Sequence, residues 1–538
     1  MINSTNNDDD LFQLLPDELV TKVLAILNYR DLASCMLVSK RMVHLVHNSS
    51  LLQYHLELGR SCMEDGPLNT LSIPERRERL QAYSNAWRTL RYSACIHLYS
   101  LDHRTYIMDI APGGILTFIS KTEAKVTFVR LPSNLRGIPM RQWEHSFPFI
   151  PHACTLDPSQ DILVLLQQDG WRFHFFSLKT GEPHPLAAAS SHLLFDHPPS
   201  YYRHRVIVQL VVAQNYVAAL LPKYQLKVYD WKSGQTMLNI TSNDIRSVAL
   251  LPRNRILLAS TRADDLIRDE GLDGLANSSV LAVYDLEQVH ASRPHWGRRF
   301  PVAVFALELG HNVVPVDMAL HYRLDIHSYS PEVAAPFFNA PMEQLVALQT
   351  SNLLKASDDR GDRRYEATRA FGIPLCHILL IPIAKLLSYL NAVDERRTRY
   401  IQWNDWGATG TRRVPEPHFS PLFRGALSGS RFIPLPESHS FIGIWDFSRS
   451  RAAHLRLRHS ESVPCVQRDV ALPIEIKGQV TAAISEDVIV ICEACIIALS
   501  SFYCVRLVHT YCRVGIPSPV PLKTEYIFSF FRVLCCAS

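Results

Sequence analysis

At 538 residues the chain exceeds the roughly 100 to 200 residues of one ordinary domain, and its 47% hydrophobic and 20% charged residues predict a soluble globular protein, a short module plus one large body. Its 55 basic and 51 acidic residues leave a net charge of +4, and the basic ones are scattered instead of forming a stripe, which excludes a nucleic-acid footprint. Twelve cysteines are too few for a disulfide scaffold, the opening run Met1 to Asp10 is polar where a secretory leader would be apolar, and Pro374, His377, Pro382 and Lys385 interrupt the longest apolar run, Ile373 to Leu390. The expectation is a cytoplasmic and/or nuclear protein with no transmembrane segment.

Residues 1–10 read as a disordered tail. Pro16 suits the first position of a helix, where its missing N–H would have been unpaired, and Asp17 and Glu18 then oppose the positive end of the helix dipole. Leu19, Val23, Ile26 and Leu27 recur at spacings of three and four and form one apolar stripe, with Leu24 to its side. Asn28 is a stop, Asp31 an N-cap for a second helix carrying Leu32, Cys35, Met36 and Val38, and the basic turn Ser39-Lys40-Arg41 leads into a third helix through Val46. Below about 70 to 80 residues a core is marginal, so part of this apolar face is expected to be covered, by the body of the protein or by a partner.

Leu15-Pro16-Asp17-Glu18-Leu19, Ile26-Leu27, Arg30-Asp31-Leu32 and Leu37-Val38-Ser39-Lys40-Arg41 follow the F-box pattern in order and spacing, and residues 11–60 resemble that domain. The resemblance implies docking onto the Skp-type adaptor of a cullin–RING ubiquitin ligase. It makes Leu15, Pro16, Leu19, Val23, Leu24, Leu27, Leu32 and Val38 the candidate adaptor-binding residues. One departure stands at Leu52-Gln53-Tyr54, where many F-boxes carry a Trp. The stretch Leu52 to Leu58, Met63-Glu64-Asp65-Gly66, and the helix from Pro74 to Trp87 in a helical linker 61–94 also resemble the F-box proteins abundant in mushroom-forming (basidiomycete) fungi.

From residue 95 to 538 the apolar runs shorten and alternate between Pro, Gly, Asp and Asn, the signature of many short strands. An apolar-aromatic-polar-apolar phrase recurs: Phe128 to Leu131, Phe175 to Leu178, Val228 to Trp231, Val283 to Leu286 and Ile444 to Phe447. Their last residues are 47, 53, 55 and 161 positions apart. Periods of about 40 to 50 residues belong to propeller blades. The phrases are expected on third strands, where Asp or Ser bonds the following turn and Gly a few residues on supplies positive φ. A further third strand is expected at Ile496 to Ser501, and one blade in the long interval from Met318 to Ile326, Gln344 to Gln349 and Ile378 to Leu387. The body therefore resembles a degenerate WD-repeat β-propeller of seven blades, with eight as the alternative. Its long loops are placed at 187–204, 262–279, 328–343 and 351–376.

No phosphate loop, no G-x-S-x-G and no H-E-x-x-H occurs. Cys492 and Cys495 form a C-x-x-C within strand-like runs and read as buried thiols, not a metal site. The last residues, Cys535-Cys536-Ala537-Ser538, match C-a-a-X loosely, with Cys536 out of place and no polybasic segment before it, which leaves lipidation at Cys535 a weak expectation. Trp403-Asn404-Asp405-Trp406-Gly407 is the most distinctive feature of the body and resembles the same fungal group. Trp403 and Trp406 are either a substrate-loop anchor or a plug between blades. The fold class expected is α+β multidomain: a short all-α F-box, then an all-β propeller. The function expected is that of a non-catalytic substrate receptor with an unknown protein substrate and no cofactor or metal, against the alternative of a propeller scaffold or ligand-binding protein with a self-packed helical cap.

Overall fold

The computed structural model describes residues 15–66, 70–90, 92–101, 105–120, 122–167, 172–189, 191–193, 209–221, 225–263, 266, 278–287, 301–308, 313–322, 335–354, 375–390, 398–416, 427–433, 441–447, 466–471, 479–485, 487–494 and 529–536. The tail 1–10 and much of the expected long loops lie outside them.

Four helices open the described chain: α1 (Asp17–Ile26), α2 (Tyr29–Val38), α3 (Lys40–Asn48) and α4 (Ser50–Arg60). Pro16 is the N-cap of α1, one place ahead of the first helical position, and its carbonyl accepts from the N–H groups of Leu19 and Val20 at 3.0 and 3.1 Å. Asn28, not Asp31, caps α2: its Oδ1 accepts from the backbone of Arg30 and Asp31 at 3.0 and 3.1 Å. Asp31 falls in the first turn, where its charge opposes the dipole. Ser39 and Ser49 cap α3 and α4 through their hydroxyls.

The fourth helix completes what three could not. Leu52 and Leu56, four apart on one face of α4, join Val20, Leu24, Leu32, Leu45 and Val46 in a buried core. Tyr54 and Leu58, four apart on another face, enter a second cluster with α5 (Ile73–Thr89) and the β body. Helix α4 is thus buried on both sides and belongs equally to the helical module and to its support.

Among the described residues the body comprises six four-stranded sheets and one five-stranded sheet. Each holds four antiparallel strands, as in the first: Thr105–Ala111, Ile115–Ser120, Lys125–Arg130 and Arg141–Ser146, and the five-stranded sheet adds one parallel strand. All five recurrent phrases fall on third strands or the turn just after them. Lys125–Arg130, Arg172–Ser177, Gln225–Asp230, Val280–Asp285 and Phe441–Asp446 each pair with a second strand on one side and a fourth on the other. The turn chemistry is as expected: Asp230 accepts from the N–H groups of Lys232 and Ser233 at 2.9 and 3.2 Å, and Gly234 takes φ +74°. Ser177 and Asp285 do the same for Thr180 and Glu287. Trp231 is buried, with its indole N–H on the Gln214 carbonyl at 2.9 Å.

The long interval holds one sheet: Val313–His321, Leu345–Leu354, Leu375–Pro382 and Arg412–Glu416. The last sheet runs Gln479–Ile484, Val488–Ala494, Ser529–Cys536 and then Tyr92–Leu101, so a strand from before the first sheet closes the ring. Its third strand is Ser529–Cys536; Ile496 to Ser501 lies outside the described residues. Tyr92 starts that strand three residues ahead of the expected boundary at 95. Residues from four sheets, Ile110, Gly114, Tyr322, Gln344, Leu427 and Ser485, line one small cavity, so those sheets come together there. The body is a β-propeller behind a short helical module.

In such meanders the first-to-second and third-to-fourth turns share one end of the ring. Helix α5 lies across that end, against Leu135, Phe337, Ile433, Ile444, Ile484 and Ile489. No described helix is long and apolar enough to cross a membrane.

Candidate protein-docking surface

Arg41, at the start of α3, donates to the Leu15 carbonyl at 2.5 Å and to Asp17 at 2.7 and 3.0 Å. Two pieces of the motif 24 residues apart therefore meet, and the end of α2 is brought beside the start of α1. The ion pair is too exposed to stabilise much, but it fixes the geometry of two apolar edges.

Those edges are the candidate site. Leu19, Val23 and Ile26 stand at i, i+4 and i+7 along α1, with 46%, 46% and 84% of their surface open, and Leu37 and Val38 close α2 with 89% and 78% open. Pro16 is exposed beside them. An apolar patch rimmed by charge, here Glu18, Lys22 and Lys40, marks a protein contact. Burying one such side chain fully contributes about 1.5–3 kcal/mol.

The burial corrects part of the expected set. Leu24 and Leu32 are 2% and 0% exposed in the helical core and present nothing to a partner, while Leu15 and Leu27 are half-buried against the same core. Ile26 and Leu37, absent from the expected set, are the most open apolar side chains of the module. The split follows from α1 being apolar on two sides, with Val20 and Leu24 inward and Leu19, Val23 and Ile26 outward.

A second set of contacts fixes this surface relative to the propeller. Met63–Asp65 pairs antiparallel with Phe337–Asn339, Met63 facing Asn339 and Asp65 facing Phe337. Gly66 donates to the Pro336 carbonyl at 3.0 Å, so close that a Cβ there would lie 1.9 Å from the Ala335 oxygen. Tyr54 donates to Asp65 at 2.9 Å, and burial raises its pKa. The guanidinium of Arg431, from the propeller, lies 4.4 Å from the Trp87 ring and 5.3 Å from the Tyr83 ring of α5, and donates to the Tyr83 hydroxyl at 2.9 Å. Beside it Arg136 donates from Nε to both oxygens of Asp487 at 3.0 and 2.9 Å, and from Nη2 as well, and all of it is buried. A planar guanidinium suits this stacked and bidentate geometry; an ammonium would not.

The described part of the expected loop 328–343, from Ala335 on, forms this junction. The strand ends that flank 262–279 and 351–376, and the end of Ser191–Leu193, lie at the opposite end of the ring.

The structure places Trp403 and Trp406 on a helix, not in a loop. They lie on α7 (Trp403–Gly410), which follows the one-and-a-half-turn α6 (Ile383–Ser388) and the strand Arg399–Ile401. That strand adds in parallel to Ala303–Ala306 as the fifth of its sheet. Trp406 is 0% exposed, edge-on to Phe305 at 5.2 Å, with its N–H on the Ala306 carbonyl at 2.9 Å. Trp403 packs half-buried against it at 5.4 Å. The pair seals the rim of one blade.

Cys492 lies in the strand Val488–Ala494, and Cys495 lies outside the described residues. Among the described residues no three His, Cys, Asp or Glu side chains gather as metal ligands. Cys535 is next to last in its strand, paired with Ala94 on one side and Val488 on the other, which places the C-a-a-X cysteine within a sheet.

Residues 12–54 match the F-box domain family. A comparison with curated protein sequences gave no match. Among solved structures the chain is similar to the C-terminal WD40 domain of Sif2, with 9% identity over 74% of this chain and 96% of that one and a TM-score of 0.35. It is also similar to the WD40 domain of Toxoplasma gondii coronin, with 7% identity over 82% and 86% and a TM-score of 0.35. A third likeness, at 11% identity over 74% and 94% and a TM-score of 0.38, is to Kuenenia stuttgartiensis hydrazine synthase. Likeness this distant carries nothing about activity.

Proposed function

We propose that the chain is the substrate-recognition subunit of a Skp–cullin–F-box ubiquitin ligase. It binds the Skp-type adaptor through Leu19, Val23, Ile26, Leu37 and Val38, with Pro16 beside them, and a protein substrate at the far end of the propeller. The observation that carries this is the F-box match at 12–54 together with an apolar row that the chain's own body leaves open. The alternative of a self-packed helical cap fits less well, because the propeller covers α4 and α5 and leaves the outer faces of α1 and α2 bare. The protein would supply proximity instead of chemistry, holding a substrate near a transferase that the complex provides. Counting the five-stranded sheet as a blade gives seven, and we place the chain with the fungal F-box group on residues 52–58, 74–87 and 403–412, working in the cytoplasm and/or nucleus.

The test is co-purification with a Skp-type adaptor. Leu19→Asp with Ile26→Asp replaces two exposed side chains and is expected to abolish adaptor recovery while the thermal unfolding profile stays unchanged. Equal recovery of adaptor by the double variant would rule the docking surface out.

A further inference from the structure

Lysine is ordinarily among the commonest residues of globular proteins. Here only 12 of the 55 basic residues are lysines, and 43 are arginines. Three long stretches hold no lysine at all: 41–120, 233–354 and 386–476. They include α4, the junction helix α5, the whole five-stranded sheet and the sheet containing Phe441–Asp446.

Some of these arginines are required as such. Arg136 and Arg431 use planar, stacked or bidentate geometry in a buried place. Arg60, Arg88 and Arg253 are exposed, where an ammonium would serve solubility as well as a guanidinium. The two cations differ chemically in one respect that matters in a ubiquitin ligase. A lysine amine can lose its proton and attack the thioester carbonyl of ubiquitin held on a transferase cysteine; the C–N isopeptide bond forms, the C–S bond breaks and the cysteine thiolate leaves. A guanidinium stays protonated and offers no such lone pair.

Seven of the 12 lysines lie among the described residues, and they are placed accordingly. Lys22 and Lys40 are exposed, but they neighbour Val23 and Val38 within the docking surface, where a bound adaptor covers them. Lys125 is tied to Glu144 at 2.6 Å, and that hydrogen bond raises its pKa. The ammonium groups of Lys232 and Lys385 lie over the rings of Trp231 and Tyr389 at 5.0 and 5.1 Å, and Lys227 is half-buried. Among the described residues that leaves Lys179 as the exposed lysine outside the docking surface.

We propose that this chain is protected against ubiquitination by its own ligase, because the junction and two propeller sheets carry arginine where an acceptor amine would otherwise face the transferase. The proposal rests on the receptor reading given above.

The experiment is a reconstituted reaction with the full chain, the Skp-type adaptor, a cullin–RING module, activating and conjugating enzymes and ubiquitin, without substrate. The wild type is compared with the triple variant Arg60→Lys, Arg88→Lys, Arg253→Lys. Discharge of ubiquitin onto free lysine in solution serves as the control that the complex is active. The triple variant is expected to self-conjugate about threefold faster or more, since tethered acceptors react at high effective concentration, with new isopeptide linkages at positions 60, 88 or 253 by mass spectrometry. An active, adaptor-bound complex in which the variant conjugates no faster than the wild type overturns the proposal and leaves the receptor reading intact. Failure of both proteins to bind the adaptor overturns the receptor reading, and the proposal with it.

Discussion

Replacing Trp87 with Ala tests whether helix and propeller are one body. Trp87 is 1% exposed, and a Trp buries roughly 150–250 Å², which at about 25 cal/mol per Å² corresponds to about 4–6 kcal/mol. Large-to-small changes of this kind cost about 3–5 kcal/mol in practice, and Arg431 also loses the nearer of its two rings. The loss falls on the docking of α5, because the core around Val20, Leu24 and Leu52 is a separate cluster. Taking about 4 kcal/mol, the population with α5 detached rises by about a thousandfold. Amide hydrogen exchange reads this directly: protection should fall by that factor across Ile73–Thr89 and along Met63–Asp65, and stay unchanged in strands such as Ile162–Gln167. A change below about tenfold in α5, or an equal loss in those strands, would refute the separation of the two clusters.

Leu24→Ala should cost the helical module about 2–5 kcal/mol, lower its thermal stability and reduce adaptor binding only through unfolding, in contrast to the exposed positions. Amine-reactive footprinting of the adaptor complex should show Lys22 and Lys40 losing reactivity while Lys179 keeps it; undiminished labelling at Lys22 would move the docking surface elsewhere. Trp406→Phe should destabilise the propeller by about 1–3 kcal/mol in denaturant melts by leaving the Ala306 carbonyl unpaired, with adaptor binding unchanged.

Much of the fold was legible because its signals are local. The third-strand phrases announce themselves, since each is a short local run, and in the fullest copy, Val228 to Gly234, the aromatic, the turn acceptor and the glycine lie within seven residues. The long interval likewise resolves into one sheet because its apolar runs are separate and short. Helix α4 was less legible: Leu52, Tyr54, Leu56 and Leu58 alternate like a strand, yet they are two pairs on opposite faces of a sandwiched helix. The direction of Leu24 and Leu19 was hidden for a similar reason, because periodicity finds apolar faces without saying which neighbour takes which. The ribbon Met63–Asp65 and the closing pair Tyr92–Leu101 with Ser529–Cys536 depend on partners hundreds of residues away, and no local pattern announces them. Trp406 reads from sequence more readily as a plug than as a binding anchor, and it is its packing on Phe305 and its bond to the Ala306 carbonyl, both about a hundred residues away, that show the plug.

The closing pair sets an order on synthesis. The strand Tyr92–Leu101 leaves the ribosome early but has no partner until Ser529–Cys536 follows, and contacts of such separation form late. Meanwhile the surface of α1 and α2, complete within the first sixty residues, is already available. If those helices dock an adaptor as proposed, the newborn chain can hold it before it can aim it. Ile433, Ile444, Ile484 and Ile489, which seat α5, arrive near the end. On the receptor reading proposed above, a prematurely terminated chain would compete for adaptor without offering a fixed path from adaptor to substrate, and so would act as a dominant inhibitor of its own full-length form.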